Sequence, residues 1–249
     1  MTVTLRAFTC GWFYAPVSFF IDGGDDTVLR APIPAYLIEH PKGRALFDTG
    51  LALRVRPLAQ AEARAGRKTF EFDDGADIGA QLRAAEIDPR SVAWIVNSHL
   101  HTDHCGGNEA APNARVLIQK SELAPARDLS GGPLYDRRDF DTGQPYVQIC
   151  GEHDLFGDGS VTVFPTFGHT PGHQSMRLRL AGGHVVLAGD CCYLKRSLDL
   201  LRASPGDADQ AQALATLRRL HELRCTGERI FYGHDGEFWQ GVAQGVAQR

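Results

Sequence analysis

Three histidines and an aspartate fall within six consecutive positions, His99-Leu100-His101-Thr102-Asp103-His104. Imidazole and carboxylate are the donors that zinc, iron, manganese and cobalt take. The chain of 249 residues holds 10 histidines, so a cluster this dense is a chemical signal rather than compositional noise. On a tight loop after a strand, alternate residues point the same way, and a short segment can supply several ligands. Four donors arranged like this do not readily saturate one ion. The division that suits the spacing puts His99 and His101 on one metal and Asp103 and His104 on a second. Each metal then needs further ligands from downstream. Gly106-Gly107 is expected to give the backbone freedom to close the loop and begin a helix beneath it.

The elements that must position these donors are legible as apolar runs. Ala35 to Glu39 and Ala45 to Asp48 read as strands joined by a turn at Pro41-Lys42-Gly43. Ile78, Leu82 and Ala85 have the spacing of one helix face. Val92 to Val96 reads as a buried strand that runs into Asn97-Ser98-His99. A second cycle follows, with strands at Val161 to Phe164, Ser175 to Leu180 and Val185 to Leu187, a helix from Asp207 to Leu223, and a last strand from Arg229 to Tyr232. Ser130 to Pro145, with three glycines and two prolines, reads as a loop insertion. Four of the apolar strands lead directly into a residue able to bind metal: Asp48, His99, Asp190 and His234. That is where sites on an α/β scaffold form, because strands fix the loops that converge at their ends. The order of strands and helices is that of two β-rich halves covered by helices, an α/β chain.

Composition narrows the function classes. With 43% hydrophobic and 22% charged residues, the chain is long enough and apolar enough to bury a core. A formal net charge of −4 offers no basic surface for nucleic acid or for an anionic membrane. The N-terminal stretch has one isolated Arg6, and Gly11 and Pro16 interrupt its apolar run, so neither a secretory signal nor a membrane span is expected. Six cysteines (Cys10, Cys105, Cys150, Cys191, Cys192 and Cys225) form no paired C-x-x-C clusters, which fits a reducing compartment and makes the cytoplasm the expected location.

Taken together, SHLHTDHCGGN (98–108), FGHTPGHQS (167–175), AGDCCY (188–193), YGHD (232–235) and the upstream DTG (48–50) resemble the metallo-β-lactamase superfamily over nearly the whole chain. Within it the pattern is most similar to the N-acyl-homoserine lactonases, the quorum-quenching lactonases. The resemblance implies a four-layer αββα sandwich and one domain spanning 1–249. It implies two divalent metal ions, zinc first, with iron, manganese or cobalt also fitting the donors. His99, His101 and His169 would hold the first metal. Asp103, His104 and His234 would hold the second, with Asp190 bridging both. His173 would be a structural neighbour of the site, since the family places the ligand at the first histidine of GHTPGH. Asp48 would accept a hydrogen bond from a ligand histidine and fix its tautomer. Tyr193 would donate a hydrogen bond to the substrate carbonyl or the leaving oxygen.

The implied reaction is hydrolytic opening of a lactone ring, of N-acyl-homoserine lactones first, by a hydroxide shared between the metals. Asp103 would relay the proton to the departing alkoxide. The expected partner is thus a small-molecule lactone, with no nucleic acid and no membrane; the sequence is silent on oligomeric state. Competing readings are another lactonase (pyridoxolactonase-like), a glyoxalase II-like thioesterase, and a non-catalytic metal-binding protein on the same scaffold. The thioesterase is disfavoured because its relatives carry a helical extension after the last histidine, whereas here only Asp235 to Arg249 follow His234. Diiron oxygen-reducing relatives carry Glu where His101 stands. Phe13, Tyr14, Phe19 and Phe20 suit either an acyl channel or ordinary core, and Leu134 to Tyr146 either a lid or a plain loop.

Overall fold

A computed structural model of the chain describes residues 3–128, 132 and 134–248. The described strands form two sheets. The first has seven strands: β1 (Thr4–Pro16), β2 (Val28–His40), β3 (Gly43–Phe47), β4 (Phe70–Glu71), β5 (Val92–Val96), β6 (Arg115–Gln119) and β7 (Tyr146–Ile149), in the order β4-β1-β2-β3-β5-β6-β7. The second has five: β8 (His153–Asp154), β9 (Val161–Pro165), β10 (Gln174–Leu180), β11 (Gly183–Leu187) and β12 (Arg229–Phe231), in the order β12-β11-β10-β9-β8. The helices that matter to the site are α1 (Val17–Phe20), α2 (Arg56–Arg64), α3 (Ile78–Ala84), α4 (Thr102–Cys105), α5 (Lys120–Asp128), α6 (Arg137–Phe140), α7 (Lys195–Leu200), α8 (Gln210–Cys225) and α9 (Gly236–Trp239).

Period-two alternation assigns each strand residue to one of two faces. Leu5, Ala7, Tyr36, Ile38, Ala45 and Phe47 of the first sheet pack with Val161, Val163, Met176, Leu178, Val185 and Leu187 of the second in one central core. The intervening residues face outward under helices. Leu37, Leu46 and Ile95 meet Ile78 and Leu82 of α3, while Val186 and Ile230 meet Leu217 and Leu220 of α8. Helix, sheet, sheet, helix is therefore the layer order, as the sequence motifs implied. No helix among the described residues is long and apolar enough to cross a membrane.

Two pairings fix where the chemistry sits. β3 and β5 are parallel, and so are β11 and β12, so the strand ends that lead to Asp48 and His99 lie side by side, as do those leading to Asp190 and His234. The helix read from Asp207 begins instead at Gln210. Asp209 is its N-cap, the side chain accepting a bond of 3.0 Å from the Gln212 amide, which satisfies an otherwise orphaned donor. Asp207 is thereby left free for another task. The segment read as a loop insertion contains α6, while its Ser130, Gly131 and Pro133 lie outside the described residues. Gly106 and Gly107 have ordinary φ values of −59° and −91°. Their need for glycine is close approach, because a Cβ on them would lie 2.4 Å from the Ala52 amide nitrogen and 2.3 Å from the Thr49 carbonyl.

Candidate active site

All seven donors singled out in the sequence converge at the edge where these strands end. His99, His101 and His169 form one group, Asp103, His104 and His234 another, and His99, His104 and Asp190 a third that joins them; within each, the ligand atoms lie within 4.8 Å of one another. Asp190 faces both sides. Its Oδ2 lies 3.8 Å from His99 Nε2 and 3.6 Å from His169 Nε2, whereas its Oδ1 lies 3.1 Å from His104 Nε2 and 2.9 Å from His234 Nε2. His101 meets His169 Nε2 through its Nδ1, at 3.2 Å. Asp103 Oδ2 lies 3.6 Å from His104 Nε2 and 3.8 Å from His234 Nε2.

Apart from the His101–His169 pair, these close approaches do not form a hydrogen-bond network. His99 Nε2, His104 Nε2, His234 Nε2 and Asp190 Oδ1 are buried and have no aligned hydrogen-bond partner among the described residues. A buried polar atom without a partner costs about 1–3 kcal/mol, so four around one space call for something that accepts their lone pairs. Divalent cations do that, and an all-nitrogen-and-oxygen donor set fits them. Burial, the largest influence, pushes His99 and His101 well below the usual imidazole range and keeps their ring nitrogens free to coordinate. Burial alone would raise Asp190, but His104 and His234 outweigh it and hold its carboxyl well below the usual range.

In four of the five rings the opposite nitrogen is held. His104 Nδ1 is 2.8 Å from Asp48 Oδ2, His99 Nδ1 is 2.9 Å from Ser98 Oγ, His169 Nδ1 is 3.0 Å from Asp207 Oδ1, and His234 Nδ1 donates to the Pro32 carbonyl at 2.7 Å. Such partners fix ring orientation and tautomer. Asp48 has φ of +55° and is buried, and its carboxylate also accepts the Ser98 amide at 2.7 Å. A non-glycine residue in that region is uncommon, and here it aims the carboxylate at both the histidine and the chain that follows β5. His173 stands apart from the donor groups. Its Nε2 accepts the Asp190 amide at 3.1 Å while its Nδ1 meets Thr166 Oγ1 at 2.9 Å, so it sets the backbone of Asp190.

Two carboxylates were missed in the sequence. Asp207 lies in a stretch that reads as helix, and Glu122 sits in α5, where a glutamate ordinarily faces solvent; both are buried side chains in the structure. The Pro32 carbonyl carries no side-chain signal at all.

Tyr193 packs between the two groups, its ring 5.6 Å from His169 and 5.5 Å from His234, with its Oη 3.4 Å from His169 Nδ1. Burial first, and then Asp190, raises its phenol well above the ordinary range, so it is a neutral donor at neutral pH. A cavity of about 430 Å³ opens onto His101, His169 and Tyr193, with Phe19, Pro125, Leu134, Tyr135, Pro171 and Ala208 among its walls. Phe19 lines this cavity and is 40% exposed, whereas Phe20 is fully buried core. Phe13 packs edge-on against His234 at 4.7 Å, and Tyr14 points away to Glu71, bonding it at 2.6 Å. A more open depression of about 910 Å³, lined by Trp12, Arg30, Lys195 and Asp235 among others, includes none of the seven donors.

The model of the Metallo-beta-lactamase superfamily matches residues 30–234. An N-acyl homoserine lactonase AttM of Azorhizobium caulinodans is 32% identical over 232 residues, covering 87% of this chain and 86% of that protein. An N-acyl homoserine lactonase of a Bacillus species is 30% identical over 215 residues, covering 84% of each. Among solved structures, an N-acyl homoserine lactone hydrolase with the product N-hexanoyl-L-homoserine bound at its catalytic metal centre superposes with a TM-score of 0.85 at 27% identity, covering 98% of both chains.

Proposed function

The chain belongs to the metallo-beta-lactamase superfamily, among its N-acyl homoserine lactonases, and on that premise we propose that it is a dinuclear metal hydrolase that opens N-acyl-homoserine lactones. The observation that carries this reading is Asp190, with one carboxylate oxygen toward His99 and His169 and the other toward His104 and His234. His99, His101 and His169 would hold one cation, Asp103, His104 and His234 the other, with Asp190 shared. We infer zinc as the native metal from the histidine-rich donor set. When bound, the pair would supply a Lewis acid for the lactone carbonyl and lower the pKa of a water towards about 7.

The protein's own groups do the rest. Tyr193, kept protonated by burial, donates its phenolic hydrogen to the oxygen that gains charge as the ring opens. Asp103 is the least buried of the donors, its side chain 18% exposed, and it takes the proton of the attacking water and passes it to the departing ring oxygen. Phe19, Leu134 and Pro171 shape the cavity wall, exclude water and receive the acyl chain. The lactone ring opens to a hydroxy acid whose leaving group stays attached, so one product leaves.

The same reading takes 1–249 as one domain acting on a small molecule, without nucleic acid. The six cysteines are free, four of them buried, which supports a cytoplasmic location. The test is hydrolysis of N-acyl-homoserine lactones of several chain lengths beside a simple γ-lactone and a thioester. Turnover highest on the acyl-homoserine lactones supports the proposal; thioester turnover far above them overturns it.

A further inference from the structure

Glu122 is fully buried at the first turn of α5, and its carboxylate meets four donors from three different segments. Oε1 accepts the Leu100 amide at 3.1 Å and the Tyr135 hydroxyl at 2.8 Å. Oε2 accepts the Thr170 hydroxyl at 2.7 Å and the Gly172 amide at 3.0 Å. Leu100 lies between His99 and His101, and Thr170 follows His169. The one side chain therefore ties together the two loops that carry the first group of donors. Through Tyr135, whose ring stands 4.7 Å from that of His101, it also holds a wall of the substrate cavity.

The chemistry of the contacts explains why the residue is an acid. All four groups facing it are donors, and an ionised carboxylate is acceptor-only, with roughly four lone-pair sites. An amide of the same shape would turn an NH₂ towards one of the two backbone N–H groups, Leu100 or Gly172, and leave it unpaired, because only the hydroxyl beside it can turn to accept. The packing is equally demanding. A Cβ on Gly172 would lie 2.3 Å from the Glu122 amide nitrogen and 2.4 Å from its Cβ, so the loop after His169 presses directly on α5. This is what the second glycine of GHTPGH is for.

We propose that Glu122 is a positioning residue that sets the spacing between the His99–His101 loop and the His169 loop, and with it the affinity of the first metal position and the placement of the Tyr135 wall. The proposal rests on the reading that His99, His101 and His169 hold a cation. Glu122 touches neither substrate nor metal in this arrangement; it acts through the loops.

The experiment strips metal from the full-length protein and reloads it with Zn²⁺ against a competing chelator, giving a dissociation constant for each of the two positions. In E122Q the constant lost in H169A is expected to rise at least about tenfold while the other changes by less than about threefold, the size of effect seen when groups that orient ligands are removed. In an H169A background, E122Q should cost little further affinity, because two changes acting on the same position are not additive. A general structural defect would instead weaken both positions and add in full to H169A, and either result overturns the proposal. If E122Q does not fold, Thr170→Val removes one of the four donors and is expected to shift the same constant in the same direction; unchanged constants there overturn the proposal. Wild-type protein that binds fewer than two Zn²⁺ ions overturns the dinuclear reading itself, and this inference with it, whereas two ions held equally by wild type and E122Q overturn only the role of Glu122.

Discussion

The segment after β5 packs His99, His101, Asp103 and His104 into little more than one turn of chain, whereas His169, Asp190 and His234 arrive from three separate loops of the five-stranded half. In the first region local spacing does most of the positioning: a strand end, then the short α4, places the donors with Gly106 and Gly107 tucked against 49–52. In the second, each donor depends on a partner distant in sequence or on a turn. Asp207 holds the His169 ring, His173 holds the Asp190 backbone, and the carbonyl of Pro32, from the other sheet, holds the His234 ring. The lesson is that a contiguous motif can be read from its spacing, while scattered ligands are placed by buried polar groups that only the fold brings to them.

Five substitutions break or sharpen that contrast. Asp190→Ala removes the donor that faces both groups and should release metal from both; losing several kcal/mol of charge stabilisation lowers lactonase rate by about 10³-fold or more. Metal analysis beside the rate checks it, and a variant that keeps two ions would break the account of Asp190 as shared. Tyr193→Phe leaves the metals in place but removes a donor to developing charge, for an expected loss of about 10²-fold in kcat with KM little changed. Because burial holds the phenol above its ordinary range, ionisation of Tyr193 should cause no loss of wild-type activity below about pH 10, which a pH–rate profile reads directly.

Asp207→Asn tests the scattered half alone. It is expected to weaken metal binding by about 10–100-fold with only a modest fall in the melting temperature of the metal-free chain, since Asp207 Oδ2 also accepts the Ser204 amide at 3.0 Å. Asp48→Asn is the matching change in the contiguous half. Asp48 bonds both the Ser98 amide and the Ser98 hydroxyl besides His104, so this variant should lower the metal-free melting temperature further, and equal melting temperatures for the two variants would erase the distinction. The smallest effect belongs to Phe19→Ala. Trimming that half-exposed ring from the cavity should raise KM for long-chain acyl-homoserine lactones by about fivefold, roughly 1 kcal/mol of apolar contact, with short-chain substrates unaffected.

How much of this could be read from the chain follows the same division. The four-donor segment, the strand ends at Asp48, His99, Asp190 and His234, and the family they resemble were legible because residue type and spacing are local properties. The layer order followed from that resemblance. Asp207 was not legible: two aspartates, Asp207 and Asp209, precede the same apolar helix, and only the structure separates the cap from the ring holder. Glu122 was hidden for the converse reason, since a glutamate in KSEL looks solvated until its four donors converge from elsewhere. Asp48 was expected to hold a ligand ring, and His104 is the ring it reaches. The aromatic cluster near the N-terminus resolved only once strand alternation separated Phe13 from Tyr14 and the turn of α1 separated Phe19 from Phe20.

The central claim is two cations sharing Asp190. Crystals of the active protein, measured at the absorption edge of its native metal, test it most directly. The account expects two anomalous peaks on opposite sides of the Asp190 carboxylate, one among His99, His101 and His169 and the other among Asp103, His104 and His234. A single peak in fully active protein, or two peaks with Asp190 touching only one, would contradict it.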